Sequence, residues 1–231
     1  MEERYYTKYA AAAIRGSLIR LGKTDLVSED IMKKPLSQIT DEDAEMLFTL
    51  ALENGIKLYH FKRSDRQLPR VHKVIGFLRG IGFENLLDVG SGRGVFLLPF
   101  LEEFPYVPVT SLDILDKRVT LLSDISLGGV DMLEVKKASI CDTPLPEKSF
   151  DVVTMLEVLE HIPDVRAALR AAAKIARKYI VVTVPSKEDD NPEHIHLLTK
   201  ARLTEYFEEC GVSRLSFDGV PGHLFMIAKL D

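Results

Sequence analysis

The sequence predicts an α/β chain: a seven-stranded, mostly parallel sheet with helices on both faces, a C-terminal antiparallel hairpin, and a helical extension at the N-terminus. Three observations lead there. From Asn85 onward, short apolar runs alternate with helical segments, the rhythm of a parallel sheet whose strands are buried on both faces. Over residues 1–80 the apolar residues recur at helical spacing, and no run alternates with period two. The last two strands are separated by Asp218-Gly219-Val220-Pro221-Gly222, which is too short for a crossover helix, so they pair antiparallel. The extension is expected over 1–80 and the sheet domain over 81–231.

Each element has a local reason. The first helix gathers Tyr5, Tyr6, Tyr9, Ala12, Ala13 and Ile14 and runs to Leu21, where Gly22 stops it. Thr40, followed three positions later by Asp43, has the outline of a capping box; Ala44, Leu47, Phe48 and Leu52 supply an apolar stripe up to Asn54-Gly55. Pro69 suits a first helical turn and opens a third helix through Leu78. The expected strands are Leu86–Val89, Val107–Leu112, Met132–Lys136, Val152–Leu156, Tyr179–Val184, Leu215–Phe217 and Leu224–Ala228.

Composition excludes several classes. The chain has 231 residues, 46% hydrophobic and 28% charged, enough to bury a full core and too apolar for a disordered tail. No apolar run approaches membrane-spanning length, and Met1-Glu2-Glu3-Arg4 opens no signal-peptide core, so neither a membrane partner nor export is expected. Cys141 and Cys210 are too few for a disulfide framework and form no C-x-x-C, which points to a reducing, cytoplasmic setting without a zinc knuckle. A net charge of −5 argues against a surface built wholly for nucleic acid. Locally, Lys57, Lys62, Arg63, Arg66, Arg70 and Lys73 crowd together with Tyr59, His60 and Phe61. That stretch suits either an anionic substrate, a phosphate or an RNA end, or a solvated helix face balanced by Asp65.

The most informative segment is Leu86-Leu87-Asp88-Val89-Gly90-Ser91-Gly92-Arg93-Gly94, an apolar strand running into three alternate glycines and then a helix carrying Val95, Phe96 and Leu98. Glycines let the backbone approach a ligand closely, and a helix N-terminus offers N–H groups to an anionic group. A dinucleotide fingerprint would place its last glycine where Val95 stands, which argues against a nicotinamide dehydrogenase.

This G-x-G-x-G, with an acidic residue two positions before it, resembles the first motif of the class I S-adenosylmethionine-dependent methyltransferases of type 11/12, and the resemblance extends over residues 85–229. It implies a Rossmann-like fold and S-adenosylmethionine as cofactor. Asp113 ends the second strand, where that family holds both ribose hydroxyls. The segment from Ser139 to Asp151 resembles its adenine loop, although Ser139 stands where the family usually carries an acid. Base recognition is thus left to Ser139, the backbone of Ile140, or Asp142. On this resemblance the cofactor-binding set is Asp88, Gly90, Ser91, Gly92, Gly94, Asp113, Ile114, Ser139, Ile140 and Leu156.

After the fourth strand comes Glu157-Val158-Leu159-Glu160-His161-Ile162-Pro163. Its carboxylates and imidazole, spaced i, i+3, i+4, project from one face of a helical turn at the strand end where open α/β sheets place reacting groups. Asn191-Pro192-Glu193-His194-Ile195-His196 adds two histidines in a later polar loop. Two carboxylates with one or two imidazoles suit Mg²⁺, Mn²⁺, Fe²⁺ or Zn²⁺. The pattern resembles both the ubiquinone-pathway O-methyltransferases and the small-RNA 3′-terminal 2′-O-methyltransferases. The second branch implies a metal set of Glu157, Glu160, His161 and His194. Against it, the same Glu-x-x-Glu-His-x-Pro occurs in methyltransferases with no known metal, where the carboxylates cap a helix or line the substrate mouth. His60, His72 and His223 form no constellation in the sequence.

The function expected is transfer of a methyl group from S-adenosylmethionine to an oxygen of a small-molecule acceptor, with Glu157 or His161 as the catalytic base or a divalent metal such as Mg²⁺ assisting. The alternatives are a metal-dependent RNA 2′-O-methyltransferase and a cofactor-binding partner protein without catalysis. The helical extension is expected to cover the cofactor site.

Overall fold

The computed structural model describes residues 2–57, 68–188 and 190–230. Much of the basic stretch, Tyr59 to Arg66, lies outside the described residues. In chain order the elements are α1 (Glu2–Leu21), α2 (Glu29–Lys33), α3 (Asp41–Glu53), α4 (Pro69–Arg79), β1 (Leu86–Val89), α5 (Leu97–Glu103), β2 (Val109–Asp113), α6 (Asp116–Leu127), β3 (Leu133–Lys137), β4 (Phe150–Leu156), α7 (Val165–Ile175), β5 (Ala176–Pro185), α8 (Lys200–Glu209), β6 (Arg214–Val220) and β7 (His223–Lys229).

All seven expected strands form one sheet in the order β3-β2-β1-β4-β5-β7-β6, with β1 to β5 parallel and β7 antiparallel to both its neighbours. The order reverses between β1 and β4, the switch point beside which open α/β sheets bind ligands. The hairpin is tighter than the sequence suggests: Val220 pairs with His223, leaving a two-residue turn of Pro221 and Gly222, with Gly222 at φ +81°.

Two apolar layers cover the sheet. On one face Val89, Met155 and Val182 pack against α7 and α8; on the other Leu86, Val152 and Val181 pack against α4, α5 and α6. The α7 helix shows why: Val165, Ala168, Leu169, Ala172 and Ile175 form a single stripe that is fully turned to the sheet. In α3 the capping box forms as the sequence implies, Asp43 N–H donating to Thr40 Oγ1 at 3.2 Å and Thr40 N–H to Asp43 Oδ2 at 2.9 Å. Its buried stripe is Ala44, Leu47 and Ala51, however, while Leu52 is 79% exposed. Position 52 falls about 100° around the helix from 51, off the contact face.

The long α1 shares the second apolar layer through Tyr9, Ala12 and Ala13 and covers α3 with Ala11, Ile14 and Leu18. It lies directly against α6. A Cβ on Gly16 would fall 1.8 Å from the Asp124 carbonyl oxygen, and one on Gly128 would fall 1.8 Å from that of Ala12, so the two backbones touch where only glycine fits. Ser17 Oγ donates to Asp124 Oδ2 at 2.7 Å, and Arg20 donates to both carboxylate oxygens at 2.7 and 2.8 Å.

At the edge where the strands begin, Asp151 is a second latch. Its carboxylate accepts from Glu84 N–H at 2.8 Å, Arg177 Nε at 2.7 Å and Lys178 Nζ at 2.9 Å. Burial alone would push its carboxyl up; these three donors hold it below the ordinary carboxylate range. Among the described residues no helix is long and apolar enough to cross a membrane.

Candidate active site

The turn after β1 is built from glycines because its backbone is left-handed three times: Gly90 at φ +68°, Gly92 at +58° and Gly94 at +87°. The first of them also faces Val158, whose Cγ2 would lie 2.5 Å from a Cβ at Gly90. Gly90→Ala therefore meets both backbone strain and a β-branched neighbour. It is expected to destabilise the fold by about 2 kcal/mol or more, measured by chemical denaturation. Gly92 differs: a Cβ there meets only the Gly90 carbonyl at 3.9 Å, in a residue that lines a cleft of about 220 Å³.

Around that cleft stand Asp88, Ser91, Leu156 and Glu157, with Arg70 and Val71 from α4, Arg93 from the turn and Arg118 from α6. Thus α4 forms part of the wall. Asp113 anchors the turn from β2: Gly92 N–H donates to its Oδ2 and Leu115 N–H to its Oδ1, both at 2.9 Å. Each oxygen keeps a lone pair for a further donor. Ser111 Oγ donates to Ser91 Oγ at 2.8 Å, and Ser91 Oγ to the Asp88 carbonyl at 3.1 Å, tying β1 and β2 to the turn.

Asp88 is 2% exposed and accepts from Thr154 Oγ1 at 2.6 Å. Burial pushes its carboxyl up to about 6; the hydroxyls of Thr154 and Ser91 pull it back, and the nearby Asp113 charge raises it. Ile114, next to Asp113, is 61% exposed. In the expected adenine loop, Ser139 Oγ is occupied as the cap of a short 3₁₀ turn, accepting from Cys141 N–H at 3.2 Å, and Ile140 is buried beneath it.

The Glu-x-x-Glu-His segment divides. Glu160, buried from solvent, comes together with His161 and His194, their possible ligand atoms all within 4.8 Å of one another. The two rings stand 4.8 Å apart at 64°, and His161 Nδ1 lies 2.9 Å from the Glu193 carbonyl. A carbonyl can only accept, so Nδ1 carries the proton there and Nε2 keeps its lone pair. Glu157 turns elsewhere. It sits at φ +58°, its N–H donating to the Thr183 carbonyl at 2.9 Å, and its side chain accepts from Thr183 Oγ1 at 2.8 Å and meets His223 Nε2 at 2.8 Å. His223, which shows no constellation in the sequence, is thus Glu157's partner, with its Nδ1 3.0 Å from the Pro221 carbonyl. The signal was topological: an antiparallel β7 must begin where β5 ends, and Pro185 pairs with His223. His196 instead packs its Nε2 against the Ile162 and Pro163 carbonyls.

A family model described as methyltransferase domain matches residues 60–216. The chain belongs to that family. This methyltransferase domain is 29% identical over 148 residues to the ubiquinone biosynthesis O-methyltransferase of Neisseria meningitidis, covering 63% of the chain and 62% of that protein. It is 34% identical over 128 residues to the ribosomal RNA small subunit methyltransferase G of Dehalococcoides mccartyi, covering 53% and 51%. The chain therefore spans about half to three-fifths of the length of these relatives. Among solved structures, a SAM-dependent methyltransferase from Aquifex aeolicus superposes with TM-score 0.59 at 22% identity, over 73% of this chain and 93% of that one. That likeness is one of fold, and it agrees with the Rossmann-like architecture.

Proposed function

We propose that this methyltransferase domain transfers a methyl group from S-adenosylmethionine to an oxygen of a small-molecule acceptor at the edge where β1, β2 and β4 end. One observation carries the reading: the left-handed glycine turn and Glu157 line one cleft, and the Asp113 carboxylate holds that turn through Gly92 N–H. The cleft residues fit the cofactor. Gly92 leaves open space where a side chain would intrude, and Asp113 is held by two N–H donors with acceptor capacity left for a pair of ribose hydroxyls. S-adenosylmethionine supplies a methyl group on a sulfonium, so alignment of the acceptor does most of the work.

In this reading Asp88, Gly90, Ser91, Gly92, Gly94 and Asp113 bind and orient the cofactor, with Ile114, Ile140 and Leu156 as apolar walls and Ser139 at the base end. Glu157 takes the acceptor's hydroxyl proton as the C–O bond forms and the C–S bond breaks. Thr183 and His223 hold its carboxylate in place from β5 and β7. The enclosure by α4 limits water at the reacting end.

Glu160, His161 and His194 form a two-nitrogen, one-oxygen donor set that would hold Mn²⁺, Fe²⁺ or Zn²⁺ after a slight closing of their present spacing. Such an ion lowers the pKa of a bound hydroxyl. Calorimetry tests both statements. Metal-stripped protein titrated with S-adenosylhomocysteine is expected to bind it saturably, and added Mn²⁺ to give a separate heat that Glu160→Ala abolishes. Failure of the wild type to bind S-adenosylhomocysteine would end the methyltransferase reading. Cofactor binding without a metal signal would leave Glu157 as the base and remove the ion.

A further inference from the structure

Across the sheet from the glycine turn, at the edge where the parallel strands begin, lies a second cavity of about 480 Å³. It is bounded by the turn before β4, the C-terminal ends of α7 and α8, and the open end of the β6–β7 hairpin. Five cationic side chains line it: Lys148, Arg170, Lys174, Arg214 and Lys229. Among the described residues two carboxylates line it, Glu147 and Glu209, and Glu209 is already held by Arg166 Nε at 2.9 Å. Among the described residues Lys148, Arg170, Lys174 and Lys229 take part in no ion pair. This concentration of positive charge stands on a chain whose net charge is −5.

Cations near helix C-termini ordinarily satisfy the last carbonyls. Here backbone N–H groups already do so. Lys148 N–H donates to the Lys174 carbonyl at 2.8 Å, Gly211 N–H to that of Glu208 at 2.9 Å, and both Cys210 and Val212 N–H to that of Phe207 at 3.0 Å. The Cys210 thiol, pushed up by burial, stays neutral and offsets none of the charge. Arg170 and Lys174 are moreover like charges one helical turn apart, an arrangement that disfavours the isolated helix. The charge is therefore left for an external anion.

The geometry points to a small molecule carrying two or more adjacent phosphate groups. Four uncompensated cations from the β4 turn, α7 and β7 around one concave space match clustered negative charge better than a lone carboxylate. Among the described residues its lining, which includes Val212 and Leu230, holds no aromatic ring on which nucleic-acid bases could stack. This inference does not depend on methyl transfer, because the cavity lies at the opposite edge of the sheet from Gly92 and Asp113.

The probe is inorganic pyrophosphate, titrated calorimetrically at low salt into the whole chain with and without S-adenosylhomocysteine. Pyrophosphate is expected to bind the wild type with an affinity that falls on adding salt and is unchanged by S-adenosylhomocysteine. The double variant Lys148→Glu, Lys174→Glu changes two exposed side chains and is expected to bind about tenfold more weakly or worse, with its thermal midpoint as the folding control. Lack of wild-type binding, or equal affinity in the variant, overturns the proposal. Displacement by S-adenosylhomocysteine also overturns it, by assigning the anion to the arginine-lined cleft. If a single-stranded RNA oligomer binds through Lys148 and Lys174 while pyrophosphate does not, the surface belongs to nucleic acid and the small-molecule proposal fails.

Discussion

Asp113→Ala is expected to weaken S-adenosylhomocysteine binding by about a hundredfold or more, measured by calorimetry. Two losses combine in that substitution. The proposed ribose contacts are charge-assisted hydrogen bonds, each contributing about 1.5–3 kcal/mol. In addition, the carboxylate is what fixes the turn: without it, Gly92 N–H and Leu115 N–H lose their acceptors and the left-handed backbone at Gly92 loses its tether. Asp113→Asn separates the two. Its amide oxygen can still accept from one of the N–H groups, while its NH₂ opposes the other, so the loss should be intermediate. Affinity within threefold of wild type in Asp113→Ala would remove Asp113 from the cofactor set.

The second large effect concerns Asp88 and runs in opposite directions for stability and binding. Its carboxyl is raised to about 6 in the folded chain by burial, against 3.8 for the unfolded chain. A raised acid is protonated more readily when folded, so its contribution to stability is greatest below about pH 4. That contribution declines as the pH rises to about 6. The shift corresponds to about 3 kcal/mol lost by pH 7. Asp88→Asn keeps the shape and an acceptor for Thr154 while removing the charge. The variant is expected to be more stable than wild type at pH 7.5 and to lose this advantage at pH 4, read as the difference between urea denaturation curves. The same variant should bind S-adenosylhomocysteine about tenfold more weakly, if the buried carboxylate meets the cofactor's ammonium group. A wild type and variant with parallel stability from pH 4 to 7.5 would contradict the buried-charge account.

Most of the fold could be read from the chain because parallel strands buried on both faces are continuous apolar runs. Leu86–Val89 needed no correction, and the others moved by one to three residues at their ends. The capping box at Thr40 was equally local. What could not be read was pairing across long separations. The Glu157 to His223 contact joins residues on either side of α7 and α8, and only the return direction of β7 brings them together. The spacing of Glu157, Glu160 and His161 suggested one helical face, yet the chain forms a single 3₁₀ turn at Leu159–His161 preceded by left-handed backbone at Glu157. That break sends Glu157 to the cleft and leaves Glu160 and His161 with His194. The burial of Leu52 was misjudged for a simpler reason, since 44, 47 and 51 already complete a stripe narrow enough for contact with α1.

The contact of α1 with α6 bears on how the chain is made. Ser17 and Asp124 are 107 positions apart, and Gly16 and Gly128 can seat their neighbours only once both helices exist. At synthesis rates of about 5–20 residues per second, the first helix waits roughly 5–20 seconds for its counterpart to be made. During that interval Tyr9, Ala12 and Ala13 lack the surface they share with α6 in the finished molecule. The α1 segment is thus synthesised about a hundred residues ahead of the helix it docks on, and a nascent chain stalled before Asp124 would expose an apolar helix to chaperones or to aggregation.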